Sequence, residues 1–216
     1  MESMRVRVWS AIPKVLLLGA AGHALADPSS PVTLQHRSFV IRSASMAPTL
    51  IVGDYVYADM KPAAALRLGE LVVVAVRNDV WIKRIVALPG DRIAIHKGQV
   101  ILNGKAVALR PNGGFAIAGE NNLPATRARK LIEQFPGEPH PHEILDQMKT
   151  AQDEMAEVWL APGQFFLLGD NRDNSLDSRM ADGPLGGLGV VARQRILGRV
   201  LYRYWRGSGD HEHVDF

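Results

Sequence analysis

"GELVVVAV" (Gly69–Val76) and "VWIKRIVALPGD" (Val80–Asp91) decide the fold. Leu71 to Val76 is an unbroken apolar run rich in valine, whose branched Cβ favours extended backbone. A run without alternation predicts a strand buried on both faces. The second stretch ends at Pro89-Gly90-Asp91, a turn signature. If it is a strand, Lys83 shares a face with Trp81, Ile85 and Ala87, and Arg84 lies with Ile82 and Val86 on the other. One cation of the pair must then stand among apolar neighbours.

Working outward, "HRSFVIRSAS" (36–45), "GDYVYADM" (53–60), "GQFFLLGD" (163–170) and "RILGRVLYRYW" (195–205) are further short strand patterns. "RIAIHKGQVILNGKAVAL" (92–109) holds two more, with Asn103-Gly104 supplying the residues a two-residue hairpin turn requires. From Arg110 to Val158 the chain turns rich in Pro, Gly, His and charge, and "PHEILDQMKTAQDEMAEV" (141–158) reads as helix or long loop. The expected fold is mainly β: an antiparallel β-sheet domain with a smaller, irregular β-containing insertion and a short N-terminal hydrophobic helix. The expected divisions are an N-terminal segment and linker (1–31), a core in two parts (32–109 and 159–206), the insertion (110–158) and a frayed tail (207–216).

With 216 residues the chain buries one core with an insertion more readily than two full domains. It carries 25 basic and 22 acidic residues, with no long Lys/Arg block, so no nucleic-acid partner is expected. The absence of cysteine excludes disulfides, a Cys nucleophile and thiolate metal sites. At the N-terminus, Arg5 and Arg7 precede an apolar stretch from Val8 to Ala26 interrupted by Pro13, Lys14 and His23. A spanning helix wants about 20 apolar residues. The stretch therefore reads as a marginal membrane anchor, held by its basic residues on the cytoplasmic side, or as a secretory signal ending at Ala24-Leu25-Ala26. Either sends the remainder across a membrane, whereas a buried amphipathic helix would not.

Several motifs carry no chemistry. Gly187–Ala192 matches G-x-G-x-x-A, but no strand precedes it and too little chain follows, so a glycine-rich surface loop is expected. The pairs His140/His142 and His211/His213 lack a supporting carboxylate at fixed geometry and read as solvated loop histidines; no metal site is expected. "GDNRDNSLDSR" (169–179) is dense in Asp and Asn, yet an EF-type loop from Asp173 would meet Ser178 where Gly is needed and Pro184 where Glu is needed. It reads instead as a rigid turn of side chains bonded to their own backbone, able to fix one hydroxyl such as Ser175.

A desolvated lysine loses its preference for the charged form, so the pKa of Lys83 would fall from about 10.4 toward 7 or 8 and supply a base near neutral pH. Arg84 has no such option, because guanidinium stays protonated. The alternative for Lys83 is an edge-strand residue snorkelling to water. A serine needs a base to become a nucleophile, and Ser-Lys pairs are a known form of serine-hydrolase arrangement. "SASMAPTLIVGD" (43–54) supplies two serines one residue apart.

Taken in order, "SASMAPTLIVGD", "RLGELVVV", "WIKRIVALPGD" and "GDNRDNSLDSR" resemble the boxes of the type I signal peptidases, over about residues 36–105 and 157–202. The resemblance implies Ser45 as nucleophile, Lys83 as general base, and Ser43 as an oxyanion donor beside the Ser45 backbone N–H. It further implies Ser175 as hydrogen-bond partner of the lysine, Asp177 and Arg179 as braces of that turn, and no cofactor. Met46 and Pro48 would shape the substrate pocket or a membrane-facing rim, or else serve core packing and turn rigidity. The implied activity is hydrolysis of signal peptides from exported preproteins after small-x-small sites. A monomer is expected at the bacterial plasma membrane, meeting the lipid surface, its catalytic domain on the extracytoplasmic side. Two alternatives remain at this level: a maturation peptidase for few substrates, and a non-catalytic exported β-domain that binds peptides. The chain departs from the family pattern at Arg42, Leu68-Gly69-Glu70, Ala87 and the loop "MADGPLGGLG" (180–189).

Overall fold

The valine run does form a strand with both faces covered. Val72, Val74 and Val76 enter one apolar cluster with Ile85, Leu167 and Val191, while Leu71 and Val73 enter another with Ile41, Leu50, Val56 and Val200. Each fully buried valine contributes about 1.5–3 kcal/mol relative to leaving it in water. A computed structural model describes residues 35–61, 65–117, 126–183, 186–209 and 213–216. The N-terminal hydrophobic helix, the choice between anchor and cleaved signal, the Ala24-Leu25-Ala26 site and His211 lie outside the described residues.

In chain order, β1 (His36–Val40), β2 (Tyr55–Asp59), β3 (Leu71–Val76) and β4 (Asp79–Ala87) build one half of a large sheet. Next come β5 (Arg92–His96), β6 (Gln99–Leu102) and β7 (Lys105–Ala106), the meander of a second sheet. A third sheet follows from β8 (Ala108–Ile117), β9 (Thr126–Gln134) and β10 (His142–Asp146). The chain then places β11 (Met155–Trp159) on the second sheet and returns to the first with β12 (Gln164–Leu168), β13 (Val191–Ala192), β14 (Ile196–Trp205) and β15 (Val214–Asp215). The large sheet runs β1-β2-β14-β3-β4-β12-β13 with β15 beside β14; the others run β11-β5-β6-β7 and β10-β9-β8. The protein is mainly β and its strand pairs are antiparallel.

Turn chemistry fixes the registers. Asn103 and Gly104 have φ of 53° and 76° and join β6 to β7 with Leu102 opposite Lys105. Lys97 and Gly98, at 50° and 77°, do the same between β5 and β6. Left-handed backbone at both central residues is what a tight hairpin of this hand requires.

Four local expectations fail, each because a distant partner overrides local composition. Residues 141–158 are neither helix nor long loop: they form β10, a 3₁₀ turn at Ala151–Asp153 and β11. In β10, Ile144 and Leu145 are buried and the strand pairs with β9, a partner invisible to local propensity. His142 is no solvated loop residue but a buried one, stacked on Phe135. Gly187–Ala192 is not a surface loop, since Leu188 and Val191 are fully buried and β13 pairs with β12. The tail is not wholly frayed, because β15 pairs with Tyr202 and Arg203 of β14. Among the described residues no helix is long and apolar enough to cross a membrane.

Candidate active site

Ser45 sits in a 3₁₀ turn, Ala44–Met46, that leads from β1 toward β2. Ser43 caps the turn: its Oγ accepts the Ser45 N–H at 3.2 Å, as short hydroxyl side chains do at helix starts. Met46 is 2 % exposed and packs with Ile41, Leu50 and Val56. Pro48 is also buried, and the Ala47–Pro48 peptide is cis.

Lys83 lies mid-strand in β4, opposite Val72 of β3. It is 2 % exposed, and its Nζ stands 2.8 Å from Ser45 Oγ and 5.7 Å from the Trp81 ring centre. Burial is the leading cause that brings its pKa down to about 8; Asp177 and Asp170 pull it back up, and Arg179 pushes it down. The amine therefore carries a large neutral fraction near pH 8 and touches a serine hydroxyl.

Arg84, expected to leave Lys83 as the one sheltered cation, is itself buried at 4 % exposure. It survives there because Asp170 meets it twice, Nε to Oδ1 at 2.8 Å and Nη2 to Oδ2 at 2.6 Å, in the fork geometry that suits guanidinium and carboxylate. Arg84 Nη1 also donates to the Gly69 carbonyl at 2.6 Å, and Thr49 Oγ1 donates to Asp170 Oδ2 at 2.5 Å. Opposite charge holds the Asp170 carboxyl below its usual range against the burial that would raise it.

The turn after β12 is cross-braced by hydrogen bonds, and its side chains reach further than their own backbone. Asp177 accepts the Gly169 N–H at 3.1 Å and the Arg179 guanidinium at 2.9 Å, and Arg179 also donates to the Arg172 carbonyl. Arg172 forks onto Glu133 of β9, and Glu133 bonds His142, whose other ring nitrogen meets Glu138 at 2.8 Å. Burial alone would raise the Glu133 pKa; Arg172 and His142 outweigh it and bring it to about 2. A depressed carboxyl contributes stability that is present above its unfolded pKa, 4.5, and lost as pH falls toward 2. The loss is of the order of 3 kcal/mol. Unfolding free energies measured from pH 6 to pH 2 should therefore fall more steeply for the wild type than for Glu133→Gln.

The expected bond from Ser175 to the lysine amine is not made. Among the described residues Ser175 Oγ is buried without a hydrogen-bond partner. Its side chain fills the space over Gly169, where an added Cβ would overlap it and fall 2.5 Å from the Ser45 carbonyl oxygen. Gly169 is thus required by close approach of three chain segments.

Sequence reasoning placed Ser43, Ser45, Lys83, Asp177 and Arg179, and the structure brings these residues together. It missed Thr49, Asp170, Asn171, Glu133 and His142. Thr49 and Asp170 lie inside the quoted boxes, so their presence was visible and their pairing was not.

A buried lysine amine in contact with a serine hydroxyl, beside the braced turn after β12, is an arrangement compatible with a serine peptidase. The family model "Signal peptidase, peptidase S26" matches residues 24–205, and the chain belongs to that family. Signal peptidase I of Bacillus amyloliquefaciens is 28 % identical over 74 % of this chain and 71 % of its own length. Signal peptidase I of Pseudomonas aeruginosa is 33 % identical over 76 % of this chain, and the match takes in 62 % of that protein. Signal peptidase I of Bacillus caldolyticus is 30 % identical over 78 % and 79 %.

Proposed function

We propose that the protein removes signal peptides from exported preproteins by a Ser45–Lys83 dyad, cutting after small-x-small sites. The observation that carries the reading is the 2.8 Å approach of a buried, neutralisable amine to Ser45 Oγ. Neutral Lys83 takes the Ser45 proton as Oγ attacks the scissile carbonyl, and the resulting ammonium returns that proton to the departing amine. Lys83, neutral again, takes a proton from water, whose oxygen attacks the ester; the proton passes to Ser45 Oγ as the acid leaves. The Ser45 N–H and the Ser43 hydroxyl are the oxyanion donors in this scheme, each worth about 3–4 kcal/mol. In the free protein they bond each other, so substrate has to displace that contact. Ser175, whose hydroxyl has no hydrogen-bond partner among the described residues, is available to hold the lysine amine once Ser45 is acylated. The substrate chain binds as an added strand, and the basic, apolar N-terminal segment keeps the enzyme at the membrane surface facing the extracytoplasmic side.

The test is direct. The full chain incubated with a preprotein carrying Ala just before the cut and two residues upstream should release a fragment of the mass set by that bond. Placing Trp just before the cut should stop cleavage. An intact Ala-x-Ala preprotein, or cleavage indifferent to that Trp, would sink the assignment of specificity.

A further inference from the structure

Asn171 holds both peptide planes that flank Ser45. Its Nδ2 donates to the Ala44 carbonyl at 3.2 Å, and its backbone N–H donates to the Ser45 carbonyl at 3.1 Å. A peptide unit is planar and trans, so the Ala44 C=O and the Ser45 N–H are opposite ends of one rigid plate. Fixing that carbonyl fixes the direction of the N–H, and a bond to the carbonyl oxygen also polarises the N–H at the other end. Asn171 is 1 % exposed, so its amide cannot trade this role with water.

An amide side chain has two faces that differ only in which end donates. Asn171 must present Nδ2 to Ala44, and what keeps it turned that way is Gln147, whose Nε2 donates to Asn171 Oδ1 at 3.0 Å. Gln147 follows directly on β10, outside the quoted family boxes. Its own position is pinned: the backbone N–H groups of Gln147 and Met148 both donate to Asp173 Oδ2, at 2.5 and 3.1 Å. Just before it, Leu145 bridges to Asn171 in parallel, its N–H on the Asp170 carbonyl at 2.8 Å and its carbonyl accepting from Arg172 at 3.0 Å.

We propose that Gln147 is a positioning residue for the reaction: through Asn171 it orients the Ala44–Ser45 peptide, so the three-stranded sheet aims the oxyanion donor. This rests on the reading of Ser45 as nucleophile. The relay makes an unusual ordering of variants. Gln147→Met keeps the length and removes the donor, leaving Asn171 free to turn. Gln147→Glu offers a carboxylate that recruits Asn171 Nδ2 and turns its oxygen onto the Ala44 carbonyl, so the near-isosteric change should do more harm than the apolar one.

Cleavage of the same preprotein should show kcat reduced about threefold in Gln147→Met and about tenfold or more in Gln147→Glu, with KM within twofold of wild type. Urea unfolding of each variant reports folding separately. Equal kcat in wild type and Gln147→Met, a Glu variant as active as the Met one, or a loss confined to KM would overturn the proposal. If Gln147→Glu does not fold, the kcat of Gln147→Met decides alone. Ser45→Ala run alongside separates the two claims: cleavage surviving that change defeats the nucleophile assignment itself, whereas its loss with unaffected Gln147 variants defeats only the relay.

Discussion

Lys83→Ala should lower kcat/KM for preprotein cleavage by at least about 10³-fold, because in the proposed dyad it removes the base that activates Ser45. Lys83→Arg should be equally inactive, since a guanidinium of similar reach cannot give up its proton. In the wild type, kcat/KM should rise with pH around a midpoint near 8, following deprotonation of the buried amine. The same burial has a cost in stability. A lysine that binds its proton less tightly when folded destabilises the native state at pH values below 8, and the penalty is relieved as pH rises from 8 toward 10.5. At pH 7 it amounts to about 3 kcal/mol. Lys83→Met should therefore be inactive yet melt higher than wild type at pH 7, with the gap closing at alkaline pH. A flat pH profile, or a Lys83→Met variant that melts lower, would count against a neutral, desolvated amine at this position.

Asp170→Ala should cost about 3–5 kcal/mol of unfolding free energy, the usual effect of stranding one half of a buried ion pair. Asp170 is fully buried and takes two bonds from Arg84 and one from Thr49; among the described residues the next carboxylate paired with Arg84, Glu138, stands 3.9 Å away. Thr49→Val removes a single hydrogen bond to the same carboxylate and should cost only about 1–2 kcal/mol. The charge change should also reach the chemistry. Asp170 raises the pKa of Lys83, so its removal should move the rising limb of kcat/KM to lower pH. Urea unfolding and a pH–rate profile on the residual folded enzyme would check both signs; a limb displaced to higher pH would refute the electrostatic link.

Much of this site was legible because its parts are local. A serine two residues before another, a lysine alternating with Trp81 and Ile85 on one strand face, and a polar turn after "FFLLG" are patterns within short stretches. The buried braces were not legible for a related reason. His142 read as solvated because no supporting carboxylate was visible at fixed spacing; the β9–β10 pairing sets Glu133 opposite it, the connection between those strands supplies Glu138, and together they make its burial tolerable. The glycines at 187 and 189 suggested a surface loop, yet Leu188 between them fills the core under β3 and β12.

By itself the sequence determined the valine-rich and alternating strands such as β3 and β4 and the tight Asn103-Gly104 turn, since alternation, β-branching and left-handed turn residues act within a few positions. Tertiary structure alone decided which charges meet. Thr49 and Asp170 are 121 residues apart, and Arg84 and Asp170 are 86 apart. A carboxylate does not encode its guanidinium, and sheet order, which sets that pairing, follows from how several apolar faces are buried together.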